Sequence, residues 1–135
     1  MLRNDQIQSA WVAYLKSNAT ILAELPDNDE IREDNWQGDE FSYPNIRVRI
    51  VSNSPVAGRD CNLHDVVIGT LAFSENASSQ QADRIAGIIA DELHDKQFVS
   101  ENIAFGVRAS DLIPAVRTDE RTWRSEMISS IRASG

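Results

Sequence analysis

Apolar residues recur along this chain with two periods, and the order in which those periods alternate predicts its architecture. Ile7, Trp11, Tyr14 and Leu15, with Ala10 between them, fall on one stripe of a helix from about Asp5 to Ser17. Asn4 stands where an N-cap belongs. Asn18-Ala19-Thr20 breaks the stripe, Ile21, Leu22 and Leu25 form a short apolar tag placed to pack under the next loop, and Pro26 ends it. From Asn45 to Ser52 the period drops to two: Ile46, Val48 and Ile50 point one way, Arg47, Arg49 and Val51 the other. Pro55 and Gly58 mark the linker 53–62, which is too long for a tight hairpin and so should project. A second strand, about Asp65 to Ser74, is apolar on both faces, with Val66, Ile68 and Ala72 against Val67, Leu71 and Phe73. That pattern predicts a central place in a sheet or an oligomer interface.

The helical period returns from about Ser78 to Lys96, carried by Ala82, Ile85, Ala86, Ile89 and Leu93, with Ser78 and Gln81 as a capping box. Alternation then resumes over Asn102 to Ser110 and Thr122 to Ile131, separated by a connector that contains Pro114. All four prolines fall at boundaries of these elements, as the missing N–H requires. The order α-β-β-α-β-β predicts a single α+β domain over 1–135: a four-stranded antiparallel sheet with two helices packed on one face. The other face is semi-polar, with Arg47, Arg49, Arg108 and Arg124 among apolar residues. Segment 26–44 reads as a long acidic loop, longer than most connections in a compact domain. Trp36, Phe41 and Tyr43 lie within or just after it, which predicts a loop that is partly anchored or ordered by a partner.

Charge narrows the functional classes. The formal charge is −8. A compact acidic chain is a poor duplex binder, because affinity for phosphates comes mainly from Lys and Arg, and it is equally ill-suited to an anionic membrane. Most of that charge sits between Asp27 and Glu40, where Asp27, Asp29, Glu30, Glu33, Asp34, Asp39 and Glu40 face Arg32 alone. A single cysteine, Cys61, excludes an internal disulfide and suits a reducing compartment. The opening residues Met1-Leu2-Arg3-Asn4-Asp5 lead into no apolar run, so neither a signal peptide nor a bilayer span is expected.

Candidate chemistry is thin. Cys61-x-x-His64 has metal-like spacing but lacks the second ligand pair that structural zinc needs. As a nucleophile Cys61 would need a base and an orienting group. Asp91, Glu92, His94 and Asp95 read as a solvated helix end. The acids of 27–40 could supply a carboxylate pair, but catalysis needs fixed geometry and a loop is a poor place for it. They also lack the glycine-centred pattern of a calcium loop. No catalytic residue, metal site or cofactor is expected.

The arginines carry more. Arg47, Arg49 and Arg124 share one face, and the acidic segment is opposite to them in sign. In a ring of identical subunits one copy's basic face can meet the next copy's acidic segment, a heterologous contact that closes when the rotation allows. The candidate subunit or partner interface is therefore Arg47, Arg49 and Arg124 with Asp29, Glu30, Glu33, Asp34, Trp36, Asp39 and Glu40. Acids left on the inner wall of such a ring would repel DNA and let it slide.

An amphipathic helix, a long loop ending in Tyr43-Pro44, a strand, a linker and a second strand come first; an Ala- and Ile-rich helix from Ala82 to Leu93, a strand, and a last strand opening with Arg121 to Arg124 follow. Over nearly the whole chain this layout resembles the tail-terminator, or tail-completion, proteins of tailed bacteriophages. The 27–40 segment is more acidic than the pattern it resembles. The resemblance implies a non-enzymatic structural virion protein at the head-proximal end of the tail, assembled in the host cytoplasm. It implies a homohexameric ring that caps the tail tube, ends its elongation and offers a surface for head attachment. The implied partners are further copies of the chain, the tail tube protein, the sheath protein in contractile particles, and head–tail connector or neck proteins. DNA would pass through the lumen without specific binding, and no membrane is involved. The rival readings are a connector or neck protein, a small binding adaptor, and a small hydrolase built on Cys61 and His64 or on the acidic loop.

Overall fold

The computed structural model describes residues 1–34, 38, 40–56 and 63–135. Helix α1 (Asn4–Lys16) begins at Arg3, whose backbone N–H donates to Gln6 Oε1 at 3.0 Å, and it buries Ile7, Ala10, Trp11 and Leu15. The interruption at Asn18 is itself a cap. Asn18 Oδ1 accepts from the N–H groups of Thr20 and Ile21, opening a one-turn helix α2 (Ala19–Leu22) that drops Ile21 and then Leu25 into the core. Helix α3 (Gln80–Leu93) buries the predicted stripe Ala82, Ile85, Ala86, Ile89 and Leu93. It ends earlier than the periodicity predicts, where Asp95 turns to φ 51°. The predicted capping pair is divided: Gln81 Oε1 accepts from Ser74 Oγ at 2.6 Å, on the strand before the helix.

The sheet differs from the four-stranded antiparallel prediction. It is a six-stranded, mixed, curled sheet with three helices. Its order is β1 (Ile31–Glu33), β2 (Asn45–Pro55), β3 (Leu63–Ser74), β6 (Trp123–Ser134), β5 (Ile103–Arg117) and β4 (Gln97–Ser100). β1 is parallel to β2 and every other pair is antiparallel.

The missed strands have physical reasons. β1 is three residues long with one fully buried position, Ile31, inside an acidic run, and it is held by pairing Ile31–Glu33 to Ile46–Val48. β4 pairs Phe98 with Phe105 over four residues, too few to show a period. β5 continues through what reads as a connector. Pro114 sits in a bulge where the register slips between Ile113 and Val116, so one proline lies inside a strand and not at a boundary. β3, apolar on both faces, is central, between β2 and β6.

All three helices feed one core on one face of the sheet. Ile46 and Val48 of β2, Val66, Ile68 and Ala72 of β3, Met127, Ile131 and Ala133 of β6, and Ile103, Phe105 and Val107 of β5 meet the helix stripes there. Trp11 lies at its centre with no exposed surface. Its Nε1 donates to Thr70 Oγ1 on β3 at 3.1 Å, and its ring packs against Phe98 and Phe105, with centroids 5.8 and 5.7 Å away. Tyr14 stacks on Phe98 at 3.6 Å. At the far end of β5 and β6, Asp119 Oδ1 accepts from the N–H groups of Arg121 and Thr122 at 2.8 and 2.9 Å and ties the turn. The Arg121 N–H is the main reason its carboxyl is held below the ordinary Asp range.

Two outcomes test these contacts. Replacing Trp11 by Ala should lower stability by about 3–5 kcal/mol, and Thr70→Val, which strands the indole N–H, by about 1–3 kcal/mol, both read from urea midpoints. Asp119→Ala should destabilise the protein at neutral pH. A depressed carboxyl contributes stability above its unfolded pKa and loses it as pH falls through the folded one. The gap between wild type and variant should therefore narrow as the solution is acidified below about pH 4.

Candidate assembly surface

The face of the sheet away from the helices is furnished by the sheet's own side chains. The alternation of β2 puts Arg47 and Arg49 there, and the register aligns Arg47 with Leu71 and Glu126, and Arg49 with Gly69 and Ile128. Arg49 donates through Nε and Nη2 to the two carboxylate oxygens of Glu126, both at 2.9 Å, and the Glu126 carboxylate is buried. This bidentate pair lies over Gly69. A Cβ at that position would collide with Glu126 Oε2 and come within 3.1 Å of Arg49 Nε, so the ion pair needs the glycine. Arg47 is held differently: its guanidinium is sandwiched between the rings of Phe41, 4.2 Å from the centroid, and Phe73, 4.0 Å. Its Nε donates to Asn45 Oδ1 at 3.2 Å. Arg124, in register with Phe73, is half-buried.

The acidic segment is partly built into the fold. Asp27 accepts from the Asp29 N–H and starts a 3-10 turn, Asn28–Glu30. Glu30 is only 4% exposed. It accepts from the Ser42 N–H at 2.7 Å and pairs with Arg32 at 3.5 Å, pinning the far end of the segment beside β1. Arg32 also lies 4.8 Å over the Phe41 ring, so Phe41 stands between Arg32 and Arg47. The Asp34 N–H donates to Val48 O at 2.8 Å. Asp29, Glu33 and Glu40 are exposed. Asp29 and Glu33 border a cleft of about 390 Å³ between α1 and β1, together with Asp5, Lys16 and Arg32.

The candidate residues therefore divide. Arg47, Arg49 and Glu30 have partners within the chain. Asp29, Glu33 and Glu40 face solvent, while Arg124 and Asp34 are half-buried. Trp36 and Asp39 lie outside the described residues, as do Cys61 and the tip of the 53–62 linker. Glu126, Gly69, Phe41 and Phe73 complete the face but escape a reading of single strands, because only the pairing of β2, β3 and β6 brings them to the arginines.

The remaining sequence candidates have structural roles. His64 is buried; its Nε2 accepts from the Leu2 N–H at 3.2 Å and its Nδ1 lies 2.6 Å from Asn53 Oδ1. Asn53 Nδ2 in turn donates to Leu2 O and Asn4 Oδ1, so His64 helps to anchor the chain start to β2. His94 pairs with Asp95 at 3.3 Å on an exposed helix end. Among the described residues no group of His, Cys, Asp and Glu is arranged to hold a metal ion, and no helix is long and apolar enough to cross a membrane.

Removing one partner of the Arg49–Glu126 pair leaves a buried carboxylate uncompensated. Arg49 is half exposed and water screens part of that loss, so Arg49→Met should cost about 1–3 kcal/mol. Arg49→Met with Glu126→Leu should recover most of the stability. A thermal-melt double-mutant cycle checks both, and additive effects would show that the two side chains are not coupled.

No family model matches the chain, and no curated protein does. Several solved structures share its fold, two of which follow. One is a chain from the virion of a native gene transfer agent particle, with TM-score 0.63 and 15% identity over 96% of this chain and 95% of that one. The other has TM-score 0.66 and 12% identity over 100% of this chain and 98% of that one.

Proposed function

We propose that this chain is a structural protein of a tailed-phage-like virion, and that within it the chain acts as a tail terminator. The observation that carries the coarser reading is the fold shared end to end with a chain of a gene transfer agent virion. Both chains are covered almost completely, so neither match is a fragment of a larger architecture. The finer reading rests on the layout that resembles tail terminators and on the kind of surface described above. One sheet face is sealed by helices, the other is dressed with ion-paired and ring-stacked arginines, and exposed acids line one side.

In this reading the work is steric. Copies form a ring that matches the end of a tail tube on one side, offers no surface for another tube subunit on the other, and receives head-proximal neck proteins there. The exposed Asp29, Glu33 and Glu40 and the half-buried Arg124 serve as contact residues, whereas Arg47, Arg49 and Glu30 shape the subunit from within. A neck or connector protein of the same particle is the second reading, and the same virion match supports it.

The test is to add the purified protein to tail-tube subunits during polymerisation and measure tube lengths by electron microscopy. A terminator should shorten the tubes in proportion to its concentration and appear as a ring at one end. Unchanged lengths with bare ends would exclude it and leave the neck reading, which predicts binding to finished tails only.

A further inference from the structure

The sheet has two open edges, and they lie at opposite corners. On one side β1 reaches only Ile46–Val48, and the bond from the Asp34 N–H to Val48 O follows it. From Arg49 to Pro55 no strand pairs with the outer edge of β2 among the described residues. On the other side β4 reaches only Ile103–Gly106, and the Val107 N–H donates to Lys96 O just beyond. From Arg108 to Ile113 the outer edge of β5 is likewise without a strand among the described residues. Past that point Pro114 has no N–H and the Ala115 N–H is taken by Asp83 Oδ1 at 2.8 Å. Because β2 and β5 run antiparallel, the open part of β2 lies at the β2–β3 turn and the open part of β5 at the β5–β6 turn, at the other end of the sheet.

Exposed apolar side chains lie on both stretches: Val51 on one, Leu112 and Ile113 on the other. The large hydrophobics left exposed among the described residues are Met1, Val51, Val99, Leu112, Ile113 and Val116. Val51 is on the open part of β2; Leu112, Ile113 and Val116 are on β5 beyond β4. An unpaired edge carrying apolar side chains is a template for another strand.

We propose that this chain binds a second copy of itself edge to edge, the open part of β5 in one copy pairing antiparallel with the open part of β2 in the next. The diagonal offset selects this partner. When the two stretches lie side by side, β4 of the first copy stands past Pro55 of the second, and β1 of the second comes level with Val116 and Arg117 of the first, beyond the Pro114 bulge. The short edge strands thus clear each other and act as stops that set the register. Every joint carries the same stagger, which is what a sheet closing on itself requires, and the two surfaces are unlike, so repetition leads round a ring when the rotation between copies closes. The joint rests on the ring reading above but names its own surface: backbone edges, with the arginine face left out of the contact.

Disulfide trapping tests it. In a Cys61→Ser background, Ser54→Cys is combined in the same chain with Ala109→Cys, Asp111→Cys or Ile113→Cys. Ser54 pairs with Asp65, and the three β5 positions pair with Ser130, Ile128 and Glu126, so all four side chains lie on the helix-free face and neighbouring registers are sampled. Assembly is followed by light scattering, alone and with tail tubes, and products are resolved on a non-reducing gel. The expected result is a ladder of linked copies from at least one double variant and no linked dimer from the single variants. Leu112→Lys with Ile113→Lys should abolish assembly while the melting temperature stays at the wild-type value. Rings that form without a ladder and survive the lysine pair would overturn the joint and leave the ring standing. A linked dimer from a single variant would mean that like surfaces meet, and overturns it too. Monomers in every condition would overturn both joint and ring.

Discussion

Burial of the Trp11 indole under the sheet sets the arrangement around it. An indole with no exposed surface brings a large apolar body and one N–H that must find an acceptor. Thr70 is that acceptor, on the central strand β3. The ring then supplies a wall for Phe98 and Phe105, which come from paired positions on β4 and β5. One side chain on α1 therefore joins the middle of the sheet to its far edge. It also explains why so short a strand as β4 persists: Phe98 is held by Trp11 and Tyr14 as well as by its own strand pairing.

Helices cover only one side, so the other side has to satisfy its groups from within the sheet. It does so in two ways. Glu126 is buried against Arg49 over a glycine that leaves room for the contact. Arg47 is desolvated between two aromatic rings, one from β3 and one from the segment that the buried Glu30 pins down. Arginines that look in sequence like spare positive charge are thus largely internal structure. Among the described residues the surface not used in this way includes exposed acids, the half-buried Arg124, the exposed Arg108 and the open stretches of β2 and β5. The result is a small, acidic sheet covered by helices on one side and open at two corners among the described residues.

The periodic signals were strong where they ran long. The stripes of α1 and α3, the alternation of β2 and the two-sided apolarity of β3 all depend on burial repeated over many residues, and each was readable. The errors came where an element was short or its chemistry atypical. β1 has one core residue in an acidic run, β4 is four residues long, and β5 crosses a proline by bulging. Two missing edge strands turned a mixed six-stranded sheet into an antiparallel four-stranded one.

By itself the sequence determined which residues are apolar and with what spacing, and hence the main helices, the central strands, the face on which the arginines stand and the strongly acidic character. Only the tertiary structure decided what those charges touch. An ion pair such as Arg49–Glu126 joins residues far apart in the chain, and its existence depends on strand order and register, which no local pattern encodes. The open edges were decided in the same way, because an edge is a property of where neighbouring strands stop.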